Sequence, residues 1–261
     1  MTVTIANGLL EVSVDPRAGG RISSLKIAGV ERLVVDRSRG PIGWGFYVMA
    51  PWAGRMRHGE FRYEGMTHRL PCDLPPHAIH GTTYGGDWTI DDVTSSTIIA
   101  HCRLGDTWPR AGSISHHISI DGAQIHLALE LSAEESMPAQ VGWHPWFAGP
   151  GFVTHDFRKM YVRGADGIPT GELIDPTPGP HDDCFVDPLV TPRATYDDGT
   201  TITMHSDCTH WVVYDEQSVG FCVEPQSGPP NAINDAPEII AANSSLRKTF
   251  DLTCVHNPQI G

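Results

Sequence analysis

Polar and apolar residues alternate with a period of two along much of this chain, and that pattern constrains its fold more than any other feature. Leu10–Val14, Phe61–Leu70 and Ile114–Ile120 each put apolar side chains on one side and polar ones on the other, as a strand with one covered face requires. No segment sustains a helical apolar period for more than about two turns, so a doubly wound α/β fold is disfavoured. The 27 glycines and 21 prolines are spread along the chain, which fits many short strands joined by turns. Two hairpins stand out. SISHHISI runs through Asp121-Gly122 into AQIHLALEL, and RATY runs through Asp197-Asp198-Gly199 into TTITMHS; Asp-Gly supplies the positive φ angles of tight turns. THWVVYDEQSVGFCVEP reads as two further strands around Asp215–Ser218. The Pro/Gly-rich stretch Gly164–Pro180 reads as a long surface loop, because strand signals of the same character flank it. The expectation is an all-β, mostly antiparallel chain whose residues 1–261 form one domain, long enough to bury a core without disulfides or metals.

A net charge of −13 argues against nucleic acid or an anionic membrane as partner, since both are held by basic patches. No apolar run approaches the length of a membrane span, and MTVTIANGLLEVSVDP has neither a basic leader nor a long apolar segment. A cytoplasmic location and a monomer or homodimer are therefore expected. The six cysteines are far apart and form no CxxC pair, so neither a disulfide framework nor a thiolate zinc site is expected.

Polar, titratable and aromatic residues concentrate in a few segments: PWAGRMR (51–57), HAIHG (77–81), GWHPWF (142–147), DDCF (182–185) and the run from Cys222 to Asn231. His144 lies among aromatic residues, where desolvation would lower an imidazole's pKa; it reads either as a buried structural histidine or as a proton donor or acceptor. Glu224 follows the apolar run FCV and is either a paired charge at a strand end or a base with a raised pKa. Arg55 follows Gly54 in a loop and can offer a fork of hydrogen bonds to the oxygen atoms of a ligand, although surface exposure is the commoner fate of arginine. Asp182 and His80 carry the same two readings. His77/His80 and His116/His117 lack metal-binding spacing or a third ligand, and adjacent strand residues such as His116 and His117 point to opposite faces. No metal is expected.

In their order along the chain, PWAGRMRHGEF, HAIHG followed by Asp87-Trp88, GWHPWF, DDCF and VEPQSGPPNAIN resemble the aldose 1-epimerase family over essentially the whole length. The resemblance implies a β-supersandwich of the galactose mutarotase type, with an open cleft on a large curved sheet. It implies interconversion of the α and β anomers of a monosaccharide without a cofactor. Carried over position by position, Glu224 is the expected base and His144 the expected acid, on opposite sides of a bound pyranose. Arg55, His80 and Asp182 are expected to hold the sugar. Asp182 is preferred over Asp183 because the family's aspartate stands three residues before a phenylalanine, here Phe185. The family's asparagine before the arginine is Gly54 here, a departure that bears on sugar preference. Three alternatives accompany this reading. One is a hexose-6-phosphate mutarotase using Arg21, Arg55, Arg57 and Arg62. The others are a non-catalytic sugar-binding protein and a glycoside hydrolase pairing Glu224 with Asp182.

Overall fold

The computed structural model describes residues 1–257. Seventeen of its strands belong to one sheet, and every pairing between those strands is antiparallel. One stretch of the sheet runs Trp88–Val93, Thr97–Arg103, Gly112–Asp121, Gln124–Ala133, Ser244–His256, Thr200–Ser206. The other runs Leu10–Asp15, Arg21–Ile27, Phe46–Met49, Gly142–Ala148, Gly220–Gln226, His210–Tyr214. The 14-residue strand Asp182–Thr195 joins them. Its Arg193–Thr195 end pairs with Thr200–Ser206, and its Asp182–Val186 end pairs with His210–Tyr214.

The doubled sheet encloses its core. Phe250, on the first stretch, packs against Phe46, Trp143 and Trp211 on the second, with ring centroids 5.9, 5.7 and 6.0 Å away. The period-two pattern explains how: in Gly112–Asp121 the residues Ile114, His116, Ile118 and Ile120 are buried while their neighbours are not. The second stretch is covered on both faces. Phe46, Val48, Trp143, Phe147, Trp211, Val213, Phe221 and Val223 join the main core. Tyr47, Met49, Trp146 and Cys222 form a smaller apolar cluster on the far face. Strand parity therefore sends His144 and Glu224 to that far face, where a cavity lies.

Both expected hairpins form. Asp121 pairs with Gln124, so the connection is Gly122-Ala123, with Gly122 at φ 54°. Gly199, at φ 81°, closes the other by donating its N–H to Tyr196 O. Two expectations need correction. Phe61–Leu70 is not one alternating strand but a hairpin of Glu60–Tyr63 and Met66–Arg69, turned by Glu64 (φ 50°) and Gly65 (φ 79°). Gly164–Pro180 is not wholly loop, since Pro169–Ile174 pairs with Phe152–Arg163. That strand is half-buried at its ends and exposed between, so no burial pattern marks it. All six cysteines are free and five are buried. Among the described residues no helix is long and apolar enough to cross a membrane.

Candidate active site

Strand Gly142–Ala148 pairs with Gly220–Gln226 so that Gly142 faces Gln226 and Trp146 faces Cys222. This register sets His144 opposite Glu224, and their side chains meet with Nε2 and Oε1 3.2 Å apart. Both are almost fully buried. The His144 ring stacks on Tyr47, with centroids 4.6 Å apart and planes at 19°, and meets the edge of His80 at 4.9 Å. The pair lines a cavity of about 410 Å³ that Arg55, His80 and Asp182 also line, a size usual for small-molecule sites. The structure thus gathers all five expected residues into one cavity. It does not set His144 and Glu224 on opposite sides, because paired positions on neighbouring strands project to the same face.

The remaining walls come from outside the large sheet. Arg55 and His80 sit on and beside a two-stranded ribbon, Arg55–Met56 against Ala78–Ile79. The Arg55 guanidinium donates to Asp182 Oδ2 at 3.0 Å and to Gly167 O at 3.2 Å. Arg163 reaches Asp182 at 3.2 Å and Asp183 at 3.3 Å, so both aspartates line the cavity but only Asp182 is joined to Arg55. His80 accepts the Gly54 N–H at Nδ1 (3.3 Å) and donates its own backbone N–H to Gly54 O (3.0 Å). This bond assigns the remaining ring proton to Nε2. Gly54 itself has φ 68°, and a Cβ added there would lie 2.8 Å from Pro230 Cβ and Cγ. Where relatives are expected to carry an asparagine, Pro230 occupies the space.

Burial dominates the electrostatics. It pushes the Glu224 carboxyl well above its ordinary range; the charge of Asp182 reinforces this, while Gln226 and Arg55 oppose it. Burial drives His144 down to about 3 and lowers His80 well below its usual value, with His144 and Arg55 adding to the effect. The pocket therefore favours uncharged forms of all three groups.

Three of the four histidines weighed as metal ligands make hydrogen bonds within the fold. His77 accepts the His58 N–H and contacts Asp166 O, while His116 accepts from Trp143 Nε1. Another trio, His144, Cys222 and Glu224, holds its donor atoms within 4.8 Å of one another. Of the four arginines considered for a phosphate, only Arg55 lines the cavity. Arg21 donates to the carbonyls of Ala18, Trp44, Pro41 and Tyr84, Arg57 pairs with Asp166, and Arg62 is exposed. Sequence reasoning missed Arg163, Trp146, Tyr214 and Gln226 as lining residues. Trp146 and Gln226 stand two positions from His144 and Glu224, so parity alone could have found them. No sequence motif marks Arg163.

The fold recurs in solved structures of low sequence identity. A galactose mutarotase-like protein from Clostridium acetobutylicum superposes with a TM-score of 0.87 at 17% identity, covering 98% of this chain and 95% of that one. Galactose 1-epimerase from Lactobacillus acidophilus NCFM gives 0.83 at 14% identity, covering 98% and 94%. Among sequence relatives, YihR of Escherichia coli (strain K12), described as uncharacterised, is 22% identical over 279 residues, spanning 93% of this chain and 89% of its own. A sequence model of aldose 1-epimerases matches residues 1–248. The chain belongs to the aldose 1-epimerase family.

Proposed function

We propose that the protein is a mutarotase, interconverting the anomers of an aldose by acid–base opening and reclosure of the ring. The observation that carries this reading is the buried His144–Glu224 contact of 3.2 Å, in a cavity that Arg55, His80 and Asp182 also line. The anomeric hydroxyl and the ring oxygen are both bonded to the anomeric carbon. A base and an acid one hydrogen-bond length apart can therefore serve both atoms from one side of the sugar.

In this scheme Glu224 takes the proton of the anomeric hydroxyl while His144 gives a proton to the ring oxygen. The bond between the anomeric carbon and the ring oxygen breaks, leaving an open-chain aldehyde. Rotation about the bond to the next carbon presents the other carbonyl face. Reclosure returns the proton from Glu224 to the new anomeric hydroxyl, and His144 recovers its own. The pair holds one mobile proton throughout. Opening converts imidazolium and carboxylate into imidazole and carboxylic acid, the forms that burial favours. The ion pair that starts the step is the form burial disfavours, and the 3.2 Å contact between the two groups is what makes it accessible. Arg55, His80 and Asp182 hydrogen-bond ring hydroxyls and fix the sugar against the pair.

Polarimetry on freshly dissolved α-glucose and α-galactose tests this directly, as acceleration over the spontaneous rate. Glu224→Gln should lower kcat by about 100-fold or more while sugar binding persists. A normal rate in that variant would remove Glu224 from the role of base.

A further inference from the structure

One buried side chain beside the acid–base pair has no part in the scheme above. Gln226 is wholly buried, lines the cavity, and lies two residues beyond Glu224 on the same face of the same strand. Its Nε2 donates to Glu224 Oε2 at 3.1 Å. Its Oε1 is buried and has no protein donor among the described residues. In the ionised form in which it acts as base, Glu224 only accepts hydrogen bonds, so in that state the bond turns Nε2 of the amide toward Glu224 and Oε1 away from it.

Nearby donors are engaged elsewhere. Across one side of the strand, His210 faces Gln226, but its Nε2 meets Tyr161 Oη at 3.3 Å and its Nδ1 meets Thr209 Oγ1 at 2.8 Å. Gln140 gives its amide protons to the carbonyls of Gly228 and Pro229. Across the other side stands Gly142, where an added Cβ would lie 3.1 Å from Gln226 Cγ and 2.8 Å from Pro225 O. The bare glycine leaves room for the amide at that place. A buried carbonyl oxygen without a donor is disfavoured, and a hydroxyl of a bound sugar is a donor the cavity admits.

We propose that Gln226 is a positioning residue with two tasks: Nε2 holds Glu224 so that Oε1 faces His144 and the reacting hydroxyl, and Oε1 accepts a hydrogen bond from a second hydroxyl of the sugar. The inference rests on the mutarotase reading. It makes the base and one sugar contact parts of a single amide.

Two variants separate the tasks. Gln226→Leu removes donor and acceptor; Gln226→Glu keeps an acceptor but replaces the donor with a second carboxylate. Polarimetric kcat and KM across pH, with thermal unfolding as a check on folding, supply the readouts. In Gln226→Leu, KM should rise about 10-fold, kcat should fall about 10-fold, and the acidic limb of kcat/KM should move up by about one pH unit. In Gln226→Glu the acidic limb should move up at least as far, while KM changes less than in the leucine variant. A merely structural role would shift the unfolding temperature and leave the limb in place. If the wild type does not accelerate mutarotation, the mutarotase reading itself fails. If the wild type is active and the variants keep its KM and its acidic limb, the assignment of Gln226 is overturned. Should the leucine variant not fold, the nearly isosteric glutamate variant decides alone, by whether its limb moves.

Discussion

Gly54 bears more of the site than its lack of a side chain suggests. Its N–H and its carbonyl both bond to His80, and its φ of 68° sets it hard against Pro230. Gly54→Ala would strain the backbone and push Pro230 aside, costing about 1 kcal/mol or more of stability. It should also raise KM by several-fold through the displaced His80, with kcat less affected because His144 and Glu224 lie on other strands; thermal unfolding and polarimetry read the two effects. At this scale the sequence was informative where a motif stood behind a residue. Arg55, His80, His144, Asp182 and Glu224 were named from such motifs, and they line one cavity. Asp182, the residue preferred over Asp183, is the one bonded to Arg55. Arg163 was not legible, because its place depends on where the strand Phe152–Arg163 ends in space. The relation of acid to base was misjudged, since opposite sides of a sugar is a statement about the ligand, and strand register decides otherwise.

Among the elements, the hairpin through Asp198 and Gly199 carries a charge pair across the fold. Arg32 is buried, donates to Asp198 and to Thr200 Oγ1, and stacks on Tyr196 with its guanidinium carbon 4.5 Å from the ring centroid. Desolvation alone would raise the Asp198 carboxyl, but hydrogen bonds from Arg32 and Thr200 outweigh it and hold it down to about 2. The stability this provides is present above the ordinary carboxylate pKa and is lost as pH falls toward 2. The Asp198 side chain is 37% exposed, so solvent screening reduces the contribution. Asp198→Asn should cost about 1 kcal/mol at pH 7, and denaturant titrations should show the two proteins converging near pH 2. This hairpin was readable because glycine marks its turn. The turn at Glu64-Gly65 was harder to see, because glutamate is a rare occupant of positive φ. Pro169–Ile174 escaped notice because it buries so little.

For the whole molecule, the alternation of residues foretold an all-β, antiparallel chain, and the family resemblance supplied the manner of its doubling. Alternation by itself could not supply it: Asp182–Thr195 changes partners partway along its length, which local patterning does not reveal. The doubling encloses His116, which burial drives down to about 3. A histidine kept neutral in the folded state has no effect on stability well above its unfolded pKa. It lowers stability as pH falls from about 6.5, where the unfolded chain takes up the proton first. His116→Gln keeps an acceptor for Trp143 and removes the titration. Urea unfolding at pH 7 and pH 5 should show a smaller acid-induced loss in the variant, by about 2 kcal/mol.

The two kinds of work in the cavity rest on separate foundations. The proposed acid and base face each other across one rung of a ladder, where the strand spacing of about 5 Å hardly varies. Arg55 and His80 stand on a small ribbon outside that ladder. Descendants of this chain are thus free to exchange their clientele by remodelling the ribbon, while inheriting the chemistry unaltered.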